Sequence, residues 1–131
     1  MSAERVETMR RIYDGFGRGD FSAPVLLFDK HVVLVLRRRF PDAGVYVGPE
    51  AVADYTRDLL KGWTDFKIKG EEFIDAGDSV VVQVLQIGVG ATSHAMTELR
   101  YYQVWTFRGE SIIRVESIST REEALAEVGL S

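Results

Sequence analysis

The sequence contains no cysteine. Disulfides, thiol nucleophiles and thiolate metal sites are therefore excluded, and a cytoplasmic location is permitted. Positive charge is not in excess either: 16 Lys and Arg stand against 20 Asp and Glu, a formal net charge of −4. That balance argues against nucleic acid as the main partner, which would favour a basic face. No apolar run approaches the roughly 20 residues that span a bilayer, so no membrane partner is expected. The charged opening, with Glu4, Arg5, Glu7, Arg10 and Arg11, predicts no secretory signal. A phosphate-cradling glycine loop is missing, because Gly15, Gly17 and Gly19 follow a helical pattern and not a strand. Gly-x-Ser-x-Gly is missing too, which removes a nucleophile elbow. The two histidines, His31 and His94, stand far apart with no metal-ligand spacing, so no metal is expected.

What is present is an ordinary globular composition, 46% hydrophobic and 27% charged. A length of 131 residues gives room for one core, and a single soluble domain over 1–131 is expected. Val6, Met9, Tyr13 and Phe16 recur at helical steps, and the glycines that follow predict a stop before Asp20. A short second helix is expected from Pro24 to about Phe28. His31–Leu36 is a β-branched run suited to a buried strand, and Val45–Val47 suits a short edge strand after a polar turn through Arg37-Arg-Arg39 and Pro41–Gly44. Gly48-Pro49-Glu50 signals a helix start, with Val52, Tyr55, Leu59 and Leu60 on one stripe and a stop at Gly62.

From Asp65 the period becomes alternating. Strands are predicted over Phe66–Asp75, Ser79–Gly88, Met96–Phe107 and Ser111–Ile118. In the third of these, Leu99, Tyr101, Gln103, Trp105 and Phe107 share one face. Thr120-Arg-Glu-Glu123 is a capping box that opens a final short helix, with Gly129 as its stop. Helices first and a meander afterwards predict an α+β fold.

Several segments, taken in order, resemble the SnoaL-like proteins of the nuclear-transport-factor-like superfamily. They are Tyr13 with Arg18-Gly-Asp20, Phe28-Asp-Lys-His-Val-Val33, Gly44–Gly48, Val104-Trp-Thr-Phe-Arg-Gly109 and Arg121–Leu125 with Gly129-Leu130. The resemblance implies a strongly curved, mainly antiparallel sheet that forms a cone, closed by N-terminal helices, with a short C-terminal helix. It also implies a homodimer packed through the outer sheet face, and relatives that include polyketide cyclases, ketosteroid isomerases, limonene-epoxide hydrolases and scytalone dehydratases. No cofactor is implied.

Carried over position by position, the isomerase base falls on Leu36, which cannot take a proton. The protonated acid falls on Gln103, and the tyrosine position lies within one residue of Tyr13. The cyclase and epoxide-hydrolase aspartate falls on Ser117. A register slip of one would instead put Glu116 in the cavity, where burial would suit it to acid–base work. The plainer reading of Glu116 is a solvated or interface carboxylate. His31 is read as a surface residue and His94 as part of a loop. Arg37, Arg38 and Arg39 are read as a solvated strand end, with an anion clamp at the cone mouth as the alternative.

The implied ligand pocket draws on Tyr13, Leu34, Leu36 and Tyr55. Trp63, Gln103, Trp105 and Ser117 complete it. The expected function is to hold a small apolar or polyketide-like molecule. Acid–base chemistry through Gln103, Tyr13 and either Glu116 or Asp14 would make the protein a cyclase, isomerase or dehydratase. Without such chemistry it would be a ligand-binding domain or a dimerising module with a vestigial cavity.

Overall fold

The computed structural model describes residues 2–37, 40 and 43–130. Helix α1 (Ser2–Gly17) buries Met9, Ile12, Tyr13 and Phe16, the face that the three-and-four spacing predicts. It ends where Gly19 takes φ +83°, a left-handed conformation that glycine adopts without strain, and Asp20 N–H bonds back to Gly15 O at 2.9 Å. The expected second helix is a 3-10 turn, Ala23–Leu27, with Pro24 in its first turn. Strand β1 (Phe28–Leu36) starts earlier than the His31 boundary read from the sequence, and β2 (Gly44–Val47) pairs back on it. Helix α2 (Pro49–Lys61) follows, capped at Gly62.

The rest is β3 (Trp63–Ala76), β4 (Ser79–Gly90), β5 (Met96–Arg108), β6 (Ser111–Ile118) and helix α3 (Arg121–Glu127). The described residues form a six-stranded sheet in the order β2-β1-β6-β5-β4-β3. The contact between β1 and β6 is parallel, and every other neighbouring pair is antiparallel. The chain is therefore α+β with a curved mixed sheet. The polar turn expected through Arg38, Arg39, Pro41 and Asp42 lies outside the described residues.

Strand β3 shows how the sheet acquires its curve. Its pairing with β4 slips between Thr64 and Lys67 and again between Gly70 and Glu72. Each slip inserts an extra residue that bends the strand and increases its twist. Asp65 takes φ +53° inside the first slip, which re-phases the alternation so that Trp63 and Phe66 both point inward, their rings 5.6 Å apart. This is also why alternation in the sequence becomes visible only after Asp65, although the strand begins at Trp63.

The two faces of the sheet have different covers. On the concave side lies the main core, built from α1, β1 and the inward residues Val80, Val82, Val84, Trp105 and Phe107. On the convex side a smaller cluster, Val81, Val104 and Ile118, is covered by Ala124 of α3. Thr120 caps that helix by accepting from Glu123 N–H at 3.2 Å, the capping box read from the sequence.

Candidate functional site

Alternation along the strands, together with the curve, leaves a hollow of about 790 Å³ on the concave side. Its walls draw on every element of the described residues except β2 and α3. Leu34 and Leu36 project from β1, Tyr55 and Leu59 from α2, and Trp63 and Phe66 from β3. Leu99, Tyr101, Gln103 and Trp105 project from β5, with Val115 and Ser117 beside them on β6. Residues of one face recur every second position, so the four β5 residues form one row along the cavity wall.

Tyr13 is not part of this wall. It is 3% exposed and stands one layer behind, at the back of Gln103 and Trp105. Trp105 Nε1 donates to the Tyr13 hydroxyl at 3.0 Å, and the hydroxyl donates to Gln103 Oε1. Gln103 Nε2 in turn donates to Ser117 Oγ at 3.3 Å. Four residues from three elements thus form one hydrogen-bonded chain, and Gln103 and Ser117 are its members at the wall with hydrogens uncommitted among the described residues. A Gln amide has two N–H groups and one is used here; the Ser117 hydroxyl, an acceptor in this bond, keeps its own proton. Burial pushes the Tyr13 phenol well above its ordinary value, which outweighs the opposite effect of the Trp105 hydrogen bond, so the chain is neutral.

A second polar pair sits further along the same row. The Tyr101 hydroxyl donates to Gln86 Oε1 at 2.9 Å, and the Tyr101 ring meets Phe40 edge-on at 5.3 Å. Gln86, Phe40 and Thr97 all line the cavity, and none was singled out in the sequence. The signal for Gln86 was available, because it alternates with Val80, Val82 and Val84 on β4. Phe40 had no comparable signal, since it follows a strand end with no period.

The acids fall elsewhere. Asp14 is exposed on α1. Glu116 is 4% exposed on the convex side, so it is neither a cavity acid nor the solvated carboxylate of the plainer reading. Arg37 Nε donates to it at 2.7 Å, and the same guanidinium reaches Glu123 at 3.4 Å and Glu127 at 2.8 Å. Burial alone would raise the Glu116 pKa, but the Arg37 hydrogen bond and charge, with Arg114 beyond, hold it below the ordinary value of 4.5. Arg37 is therefore neither a free strand end nor an anion clamp; it ties β1 and β6 to α3. His31 and His94 are both exposed. Among the described residues, no cluster of three or more His, Asp or Glu is placed to hold a metal ion.

Asp20 is the one carboxylate among the cavity-lining residues described, and it is exposed at the rim. The Ser22 hydroxyl and backbone N–H both donate to it, at 2.6 and 3.0 Å, and hold its pKa below the usual range. A second hollow of about 470 Å³ lies between α1 and the β5–β6 turn. There the Arg5 guanidinium is taken up by Gly77 O, Asp78 and Gly109 O.

The fold has many solved counterparts. A putative SnoaL-like polyketide cyclase from Jannaschia sp. CCS1 superposes with a TM-score of 0.77 at 16% identity, over 99% of this chain and 94% of that one. An NTF2-like protein from Burkholderia thailandensis gives a TM-score of 0.78 at 21% identity, over 95% of each chain. AclR, a putative hydroxylase from Streptomyces galilaeus, gives 0.75 at 12% identity, over 100% of this chain and 88% of that one. At such identities the likeness shows the fold alone. No curated protein matches the chain. The family model for the SnoaL-like domain, however, matches residues 9–115, well over half of the sequence, and the chain belongs to that family.

Proposed function

We propose that this protein holds a small, largely apolar, uncharged molecule in the concave cavity and that binding, not acid–base chemistry, is its activity. The observation that carries this reading is the composition of the wall. An aromatic and aliphatic surface encloses two neutral hydrogen-bonding pairs, Gln103–Ser117 and Tyr101–Gln86, while the charged residues among the described lining, Asp20 and Arg57, are both exposed and Arg57 is paired with Asp54. Such a site rewards removal of apolar surface from water and penalises a buried ionic group that finds no counter-charge. The positions to which the resemblance assigned catalytic acids hold Leu36, Gln103 and Ser117, and Glu116 and Asp14 are turned away from the cavity.

The alternative, a cofactor-independent cyclase, isomerase or dehydratase, would have to work through Asp20 at the rim. Its lowered pKa makes it a weak base and a poor acid near neutrality. The reading includes a homodimer packed through the convex sheet face, supported by Val45 and Val47, which are 63% and 61% exposed there. It also treats the chain as one domain and places it in the cytoplasm, which its lack of cysteine allows.

Differential scanning fluorimetry with uncharged aromatic and polyketide-like compounds, coupled to product analysis, tests the reading. Binding predicts a concentration-dependent rise in Tm with unchanged compound recovered. Turnover that is lost in Asp20→Asn would contradict it.

A further inference from the structure

The two polar pairs lie at different depths of the same wall, and their geometry restricts the ligand beyond being apolar. Gln103 and Ser117 are cross-strand partners, and so are Leu99 and Gln86. Gln103 and Leu99 are four residues apart on β5, so the two levels are separated by about 13 Å at the usual strand rise of about 3.3 Å per residue. Between them the wall carries Tyr101, whose hydroxyl donates to Gln86 Oε1 and holds that amide with its nitrogen turned away from the phenol. With Oε1 occupied, the Nε2 group can donate, and it meets no side-chain acceptor among the described residues. Gln103 is oriented in the same sense: Oε1 is occupied by Tyr13 and one Nε2 hydrogen by Ser117, which leaves the other N–H. Each amide is thus held by a buried phenol that takes up its carbonyl and leaves its nitrogen as the donor.

We propose that Gln86, oriented by Tyr101, is a second recognition subsite. The cavity would then select an elongated neutral molecule with an acceptor oxygen, hydroxyl or carbonyl, at each end of an apolar body. Gln103 and Ser117 bind one end and Gln86 the other. This rests on the ligand-binding reading above and narrows it to a ligand class. Tyr101 acts as a positioning residue, because its own hydroxyl proton is committed to Gln86.

The test compares biphenyl, para-phenylphenol and biphenyl carrying a hydroxyl at each para end, titrated by calorimetry into the full chain and into Gln86→Leu and Tyr101→Phe. The doubly hydroxylated probe is expected to bind the unaltered protein about tenfold more tightly than para-phenylphenol, the effect of one further hydrogen bond inside a cavity. In Gln86→Leu that ratio should fall to about one while the affinity for para-phenylphenol stays within about twofold. Tyr101→Phe should reduce the ratio without abolishing it, since the amide remains but loses its fixed orientation. Equal binding of the two phenols by the unaltered protein would overturn the second subsite, as would an advantage that survives in Gln86→Leu. If neither biphenyl nor para-phenylphenol binds at all, the ligand-binding reading fails and takes this inference with it.

Discussion

Tyr13 donates its hydroxyl proton to Gln103 across a separation of 90 residues, and the same oxygen accepts from Trp105 Nε1. One phenol on α1 therefore fixes both an amide and an indole on β5. Its ring also packs edge-on against Phe16, Phe73 and Trp105. Tyr13→Phe would keep that packing and leave Gln103 Oε1 and Trp105 Nε1 without their partner. A loss of about 1–3 kcal/mol is expected from urea unfolding. Gln103→Leu should cost a similar amount, and the double variant should cost clearly less than the sum, because both substitutions break the same bond. Strict additivity would show that the two residues are not coupled.

The Arg37 cluster makes a prediction about pH. Glu116 has a folded pKa below its unfolded value, so its charge stabilises the fold above about pH 4.5 and that contribution is lost as pH falls through the folded value. Glu116→Gln should therefore destabilise the protein at neutral pH and flatten the acid limb of its stability curve. Arg37→Met leaves Glu116 buried without its main partner. Fully buried pairs lose about 3–5 kcal/mol in that way. Arg37 is 32% exposed, so a smaller loss of about 2 kcal/mol is expected at pH 7. Unfolding curves measured at several pH values check both points.

Gly88 lets two wall residues, Trp63 and Phe66, pack closely against β4. A Cβ at this position would meet Trp63 Cε3 at 2.8 Å and Phe66 Cδ1 at 3.1 Å. Gly88→Ala should force the indole away from β4, costing about 1–3 kcal/mol as an overpacked site. The displaced ring has the cavity beside it, so affinity for bulky aromatic probes should fall more than affinity for small ones. A uniform loss for all sizes would mean that the ring moves elsewhere.

How much of this was legible in the sequence depends on the period of each segment. The β5 row Leu99, Tyr101, Gln103 and Trp105 alternates cleanly, and the structure places all four on the cavity wall. The capping box at Thr120 and the stripe on α2 are equally local signals. The start of β3 was hidden because the irregularity at Asp65 breaks the alternation after Trp63. The parallel pairing of β1 with β6 joins segments far apart in sequence, and no local pattern encodes it. Glu116 shows the same limit. Alternation puts it on the face opposite Ser117, but its burial comes from α3 and from Arg37, a long-range partner whose charge looked solvent-facing among Arg37-Arg-Arg39.

The central claim, that the cavity takes up a small neutral apolar molecule, can be read directly from tryptophan emission. The chain has two tryptophans, and both Trp63 and Trp105 line the cavity. Titration with para-phenylphenol, excited at a wavelength where the probe does not absorb, should give a saturable change in emission. Biphenyl-carboxylate, of similar shape but charged at neutral pH, should bind at least about tenfold more weakly, because its ionised end would be buried against neutral amides. An emission that does not saturate, or a carboxylate that binds as tightly as the phenol, would contradict the account.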